Sequence, residues 1–420
     1  EANRDIESGV GHGEFASYGY SNNAIGNRSS MSRSGSVFSV SDTINYSYND
    51  RSEVTGALSN ASSTNYNYTF AFDPIGNRLN AELAGQSVDY TTNILNQYTA
   101  VNATAPTYDD DGNMLAYGNW SYAWNGENWL IRAINSATGV KLEFDYDYMG
   151  RRIFKKVYSG ETLEKHLRFV YDGYKLIEEK DALNSNALVR RYVWQPESLD
   201  RDVPLTVYDA STEKTYYYHT DANKNVTELS DENGEVVAHY EYSPFGSLTK
   251  TTAAYAASNP FRFSSEYFDE ETGLVYYNYR YYNPELGRWI SRDPIEEQGG
   301  YNLYGMIGNN PLLGWDDWGL HECSFLEWLK WLYDSVKTGV ETALMPAATG
   351  EMLGATSAAT EILTTPSIYL ARTKRLADEV DEGLDTQLRV QELFEKGKTK
   401  ELISEYNRLQ KKKERMESEK

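Results

Sequence analysis

Two carboxylates in this 420-residue chain stand where paired acids could do chemistry: Asp293, in the tripeptide RDP, and Asp316, 23 positions later in WDDWGL. Two acids hydrolyse a peptide only in opposite protonation states. One, ionised, activates water; the other, protonated, donates to the carbonyl oxygen or to the leaving amine. Crowding two carboxylates raises one pKa and supplies that split. The remaining reactive residue types fall into weaker patterns. His12, His166, His219, His239 and His321 are scattered without metal-ligand spacing and read as solvated or hydrogen-bonded imidazoles. Ser-rich stretches have no paired His motif. Asp109-Asp110-Asp111-Gly112 has the opening of a calcium loop but not its closing Glu, so it reads as a turn. Lys411-Lys412-Lys413 reads as the solvated end of a helix, where cations suit the dipole. No cofactor and no metal is expected.

The elements that must position these acids are β-hairpins. An aromatic–x–aromatic pattern, then Asp or Asn, then Gly-Asn-Arg or a variant recurs: YGYSNNAIGNR at 18–28, YTFAFDPIGNR at 68–78, YDDDGNM at 108–114, YAWNGENWL at 122–130 and FDYDYMGRR at 144–152. Weaker copies are YSYNDRSEV from Tyr46 and FVYDGYKLI from Phe169. Alternating aromatics make a strand with one buried face. Asp or Asn followed by Gly makes a tight turn that accepts positive φ. Each unit is a hairpin of about twenty residues, too small to be stable until neighbours stack on it. Two more strand–turn–strand cycles occupy 215–248, with turns at 221–225 and 231–234. The 35 Tyr against 13 Phe suit half-buried strand faces, where the ring packs and the hydroxyl reaches a partner.

Composition bounds the partners. The net charge of −22 and pI near 4.7 repel nucleic acid and anionic membranes. Cys323 is the single cysteine, so no internal disulfide forms. No run of eighteen apolar residues offers a membrane span. The opening EANRDIESGVGHGEF has no apolar h-region and already lies in repeat-like sequence, so the chain reads as the C-terminal piece of a longer polypeptide. After Leu320 the strand alternation stops. Phe325, Leu326, Trp328, Leu329, Trp331, Leu332 and Val336 recur at helical spacing. Residues 371–420 read as one or two amphipathic helices.

Residues 259–320 organise the rest. They hold GLVYYNYRYYNPELGRWISRDP at 273–294, GGYNLYGMIGNNP at 299–311 and WDDWGL at 315–320. Together these closely resemble the Rhs repeat-associated core, and the upstream motifs resemble YD repeats. The resemblance implies a mainly β protein: a spiralling antiparallel sheet of YD hairpins over 1–258 that closes into a hollow shell, an inward plug over 259–320, and a helical C-terminal segment over 321–420 as cargo. It also implies an aspartic self-cleaving site formed by Asp293 and Asp316, cutting Leu320–His321 just after the second motif. Arg292, beside Asp293 in sequence, is expected to keep that acid ionised. Two residues depart from the family pattern. Asp317 stands where Pro usually follows the second acid, and Glu296 stands where Gly is common in the first motif. The alternative is that both acids are turn formers in a core that has lost cleavage.

In this family the segment after the core is a toxin delivered into competitor or host cells. That implies synthesis in the cytoplasm, secretion or surface display, a secretion-system component and a cognate immunity protein. The rival reading is a wall-associated repeat adhesin whose tail is a helical cap. A helix bearing two Trp and several Leu on one face is an aggregation liability in water and too short to bury that face alone. Residues 321–420 are therefore expected to be mainly helical and at least partly enclosed. Trypsin should spare Lys330 and Lys337 in the native protein and cut both quickly after denaturation. Rapid native cutting at Lys330 would favour the adhesin.

Overall fold

Ten hairpin turns share one geometry in the computed structural model, which describes residues 14–61, 66–196, 202–316 and 318–320. The helical segment expected over 321–420 lies outside the described residues, as do His12, His321 and Asp317. In the turn at 23–27, the Asn23 N–H donates to the Asn27 carbonyl at 2.8 Å and the Gly26 N–H donates back to the Asn23 carbonyl at 3.0 Å. Asn23 Oδ1 then accepts from the N–H groups of Ile25 and Asn27, at 3.1 and 3.0 Å. The same two backbone bonds close the turns at 49–53, 73–77, 93–97, 109–113, 125–129, 147–151, 221–225, 231–235 and 243–247. This is why Asp or Asn opens the motif: its side chain supplies the acceptor for N–H groups that the turn leaves unpaired. The fourth position takes positive φ in all ten turns, and Gly fills it in six.

The motif's last residues face inward. Asn27 Nδ2 reaches Ser52 Oγ of the next turn at 3.0 Å, Asn77 Nδ2 reaches Asn96 Oδ1 at 2.9 Å, and Asn113 Nδ2 reaches Asn128 Oδ1 at 2.8 Å. Alternate turns are thus stitched into a rim. The Arg that follows lies over the aromatic three residues before the turn: Arg28 over Tyr20 at 4.3 Å, Arg78 over Phe70 at 4.8 Å, Arg152 over Phe144 at 5.2 Å. Stacking on an aromatic face is what lets a guanidinium sit inside a sheet.

The strands form three antiparallel sheets in which spatial order equals sequence order. One has eight strands, from Ser17–Asn22 to Tyr98–Val101; one has fourteen, from Thr107–Tyr108 to Leu248–Thr252. Pro204 opens a strand inside the larger sheet; at the strand's first position its missing N–H is tolerated. The first strands meet the last. Tyr18 donates to Glu228 Oε1 at 2.9 Å, Tyr66 donates to the Tyr242 carbonyl at 2.9 Å, and Arg33 pairs with Glu241 at 2.8 Å. The ribbon of hairpins therefore comes round on itself, as the family resemblance led one to expect, and one apolar cluster runs along its inner face from Ile44 to Leu312.

The third sheet belongs to the stretch after the repeats: Tyr267–Asp269, Leu274–Tyr277, Arg280–Asn283 and Arg288–Trp289. Its alternation divides two buried faces. Leu274, Tyr276 and Tyr281 enter the main cluster, while Val275, Tyr277, Tyr282 and Trp289 pack with Phe263, Met306 and Ile307. Burial of each such ring stabilises by about 1.5–3 kcal/mol. The polar residues of this stretch sit on the turn rim. Asn309 Nδ2 donates to Glu53 Oε1 at 3.0 Å and to the Gly76 carbonyl at 2.8 Å. Arg288 donates to the Asn96 carbonyl and Tyr304 to the Gly112 carbonyl, each at 2.8 Å. Asn223 donates to the Pro311 carbonyl at 3.1 Å. The stretch plugs the turn end of the sheets.

Where the first strands meet the last, His239 is fully buried, with Nδ1 2.9 Å from Glu228 Oε1 and Nε2 3.3 Å from Glu241 Oε1. Tyr18 also faces Glu228, and Arg33 and Lys250 face Glu241. Burial opposes a charge on the ring, but the two carboxylates prevail and raise its pKa. A raised folded pKa gives stability that is fully present below the unfolded value, about 6.5, and is lost as pH rises through the folded one. The melting-temperature gap between wild type and His239→Gln should therefore be widest near about pH 5.5 and narrow toward about pH 9. A gap independent of pH would mean that the ring carries no charge in the fold.

Candidate active site

Arg280 opens a strand of the small sheet in which every position is buried. Its guanidinium lies over the Trp289 indole, 4.1 Å from the ring centre. From Trp289 the chain runs on through Ser291 and Arg292 to Asp293, which returns to the same guanidinium. Arg280 NH1 is 2.8 Å from Asp293 Oδ2 and NH2 is 3.4 Å from Asp316 Oδ2; none of the three side chains is more than 5% exposed. The NH1 contact with Asp293 is the shorter of the two, and both carboxylates favour the charged guanidinium against its burial. One buried cation thus lies between the two acids.

Asp316 folds the chain that follows around itself. Its Oδ1 accepts from the N–H groups of Trp318, Gly319 and Leu320 at 3.1, 2.7 and 3.1 Å. Arg280 Nε donates to the Gly319 carbonyl, and the Tyr279 N–H donates to the Trp318 carbonyl at 3.0 Å. Asp293 is fixed on its other oxygen, Oδ1, by the Ile295 N–H at 3.0 Å. Its Oδ2 and the Leu320 carbonyl oxygen converge on Gly299. A first side-chain carbon at Gly299 would lie 2.4 Å from Asp293 Oδ2 and 3.1 Å from Leu320 O, so only glycine leaves room for both.

The electrostatics follow from burial. Loss of solvent pushes both carboxyls above the usual range, Arg280 pulls both back, and the net direction is upward for each. The charge of Asp316 adds to the rise at Asp293, while backbone N–H groups favour the ionised form of Asp316. Burial lowers Arg280 itself, against the opposing pull of the two acids. Burial thus works against the charge on all three groups, the direction in which two crowded carboxyls must be moved for one of them to hold a proton.

The structure brings Asp293, Asp316 and Leu320 together; His321 lies outside the described residues. It corrects Arg292. That side chain lies against Gly112 and Tyr304 on the turn rim, and the guanidinium on Asp293 is that of Arg280. Neighbours in an extended segment point opposite ways, so adjacency in sequence placed Arg292 on the wrong side. Glu296 has φ of +56°, the left-handed region that favours glycine, which explains why Gly is common there; the departure costs about 1–2 kcal/mol. Arg280 and Gly299 were missed. A signal for Arg280 existed: it is a lone cation amid the aromatics of YYNYRYYN, and such a cation needs a buried acid. Among the described residues no group of three or more His, Cys, Asp and Glu could hold a metal ion. No helix among them is long and apolar enough to cross a membrane.

The family described as Teneurin YD-shell matches residues 29–312. The tRNA nuclease WapA of Bacillus subtilis is 31% identical over 259 residues, 59% of this chain and 10% of that protein. Double-stranded DNA deaminase toxin A of Burkholderia cenocepacia is 31% identical over 242 residues, 51% of this chain and 16% of that protein. The chain thus spans well under a fifth of these relatives. Among solved structures, the TcdB2-TccC3-TEV complex shares the fold, with a TM-score of 0.52 at 19% identity over 73% of this chain and 18% of that one.

Gly299→Ala should keep the sheet's circular-dichroism signature but force Asp293 and the Leu320 carbonyl apart. The overpacking should lower stability by about 1–3 kcal/mol, read in a denaturant melt. An unchanged melt would mean that the two oxygens do not crowd Gly299.

Proposed function

The chain belongs to the Teneurin YD-shell family, and from that premise we propose that it is the closing segment of an Rhs-type toxin shell that cuts its own backbone at Leu320–His321. Repeats at 1–258 form the wall, 259–320 the plug and protease, and 321–420 the enclosed effector. Two relatives named for unlike activities, a tRNA nuclease and a DNA deaminase, match this chain over stretches of similar length. That pattern fits a shared scaffold whose activity resides elsewhere in the polypeptide. The effector's target is not named by residues 321–420. Synthesis in the cytoplasm, delivery outside it, a secretion-system component and an immunity protein complete the proposal.

The observation that carries the cleavage reading is the meeting of Asp293 Oδ2 and the Leu320 carbonyl oxygen at Gly299, with Asp316 holding the Leu320 N–H. Asp316, which accepts three N–H groups, is the ionised member; Asp293 carries the proton. Water attacks the Leu320 carbonyl carbon, its proton passes to Asp316, and Asp293 donates to the carbonyl oxygen. Collapse of the tetrahedral intermediate returns that proton to Asp293 and breaks the bond to the His321 nitrogen, which takes the proton from Asp316. The products are a carboxyl group on Leu320 and an amine on His321, with both acids restored.

A denaturing gel of the purified chain should show bands near about 35 and about 11 kDa, from the residue counts at about 110 Da each. Asp293→Asn and Asp316→Asn should each leave the shell folded, since Asn suits the same turns, and leave one full-length band. A wild type that stays whole across the pH range would overturn the cleavage reading. If restoring proline at Asp317 then produces the two bands, the departure at that position is the reason.

A further inference from the structure

We propose that the cavity where the first strands meet the last binds a small carboxylate-type oxyanion between the Arg28 guanidinium and the Tyr46 hydroxyl. This site lies apart from the two acids of the plug and does not depend on the cleavage reading. The cavity measures about 50 Å³. About 10–15 Å³ admits one water, so the space takes a group of roughly three or four heavy atoms. Arg28 and Tyr46 come from the strands Arg28–Ser34 and Asp42–Tyr48. Asp221, Thr227 and Tyr242 line it from the last repeats, and Leu312 from the plug.

The cavity holds donors without acceptors. Arg28 is 9% exposed, yet among the described residues its guanidinium has no hydrogen-bond acceptor and no ion-pair partner. The equivalent arginines each reach one: Arg152 NH1 is 2.6 Å from Asp269 Oδ2, and Arg78 NH1 donates to the Glu285 carbonyl at 3.3 Å. The Tyr20 ring covers one face of Arg28 but offers nothing to its N–H groups. The Tyr46 hydroxyl likewise bonds to no described residue, whereas Tyr66 and Tyr242, on the same cavity, donate to backbone carbonyls. The acids nearby are committed. Asp221 Oδ1 accepts the N–H groups of Asn223 and Asn225 at 2.8 and 3.0 Å, and its Oδ2 accepts Asn225 Nδ2 at 2.9 Å, all within one turn. Glu241 serves Arg33, His239 and Lys250. A buried cation without a counter-charge is costly, and a planar carboxylate accepts two guanidinium N–H groups side by side. Burial pushes the Asp221 pKa up, so this carboxyl opposes an incoming anion less than a solvated one would.

The test melts the full chain in sodium formate, with sodium chloride holding the ionic strength constant, for wild type, Arg28→Met and Tyr46→Phe. The wild-type melting temperature should climb with formate along a saturating curve, because a ligand of the folded state stabilises it by mass action. Tyr46→Phe loses one hydrogen bond to a charged group, so its curve should need about tenfold more formate. Arg28→Met should lose the response. In chloride alone it should melt at or above the wild-type temperature, since it removes a buried cation that lacks its counter-charge. Two results would overturn the site. An equal climb in wild type and Arg28→Met would mark a general salt effect. A constant deficit of Arg28→Met, the same in chloride and formate, would mark ordered waters joining Arg28 to Asp221. If Arg28→Met does not fold, Tyr46→Phe decides, and a curve identical to wild type rejects the site. Isotope-labelled formate gives a direct reading: its resonance should broaden with wild type, and a resonance that stays sharp overturns the proposal whatever the melts show.

Discussion

One hydrogen-bonding constraint governs this molecule: the first residue of each turn must lend a side-chain oxygen to the backbone N–H four positions on, and in eight of the ten turns to the one two positions on as well. Where Asp or Asn does so, the fourth residue is driven to positive φ and the fifth and sixth are aimed inward. The fifth, often Asn, reaches the neighbouring turn; the sixth, often Arg, slides under an aromatic of its own hairpin. Register, rim and inner face all follow from that local bond. A sheet built this way needs no long-range instruction until its end must be closed.

Closure is where long-range chemistry begins. The plug offers Asn, Tyr and Arg side chains to a rim made of turn carbonyls, and so it satisfies backbone acceptors that burial would otherwise orphan. The same closure removes water from Asp293, Asp316 and Arg280. Deep burial of one cation with two acids is a poor source of stability, because desolvation opposes every charge in the cluster.

Legibility in the sequence tracked the range of the interaction. The hairpins were readable because an Asp or Asn, a Gly and alternating aromatics lie within ten residues of one another. The two acids and the Leu320 bond were readable from a family resemblance rather than from spacing alone. Arg280 was not, since its partners are 13 and 36 residues away and only the folded plug brings them to it. Arg292 misled for the opposite reason: it is next to Asp293 in sequence and turned away from it in space. The inward Arg28, Arg78 and Arg152 were visible as a letter of the motif, but their place against an aromatic ring was not.

The strict meander has a consequence for order in time. Because each strand pairs with the one just before it, the ladders can form as the chain leaves the ribosome, without waiting for distant partners. The plug comes last among the described elements, and its contacts reach back to turns as early as residues 23–27 and as late as 243–247. Asp293 and Asp316 are therefore brought to Leu320 only after the wall exists for the plug to close. Sequence order acts as a clock: the two buried acids meet the Leu320 peptide only once the strands that precede them in the chain are in place.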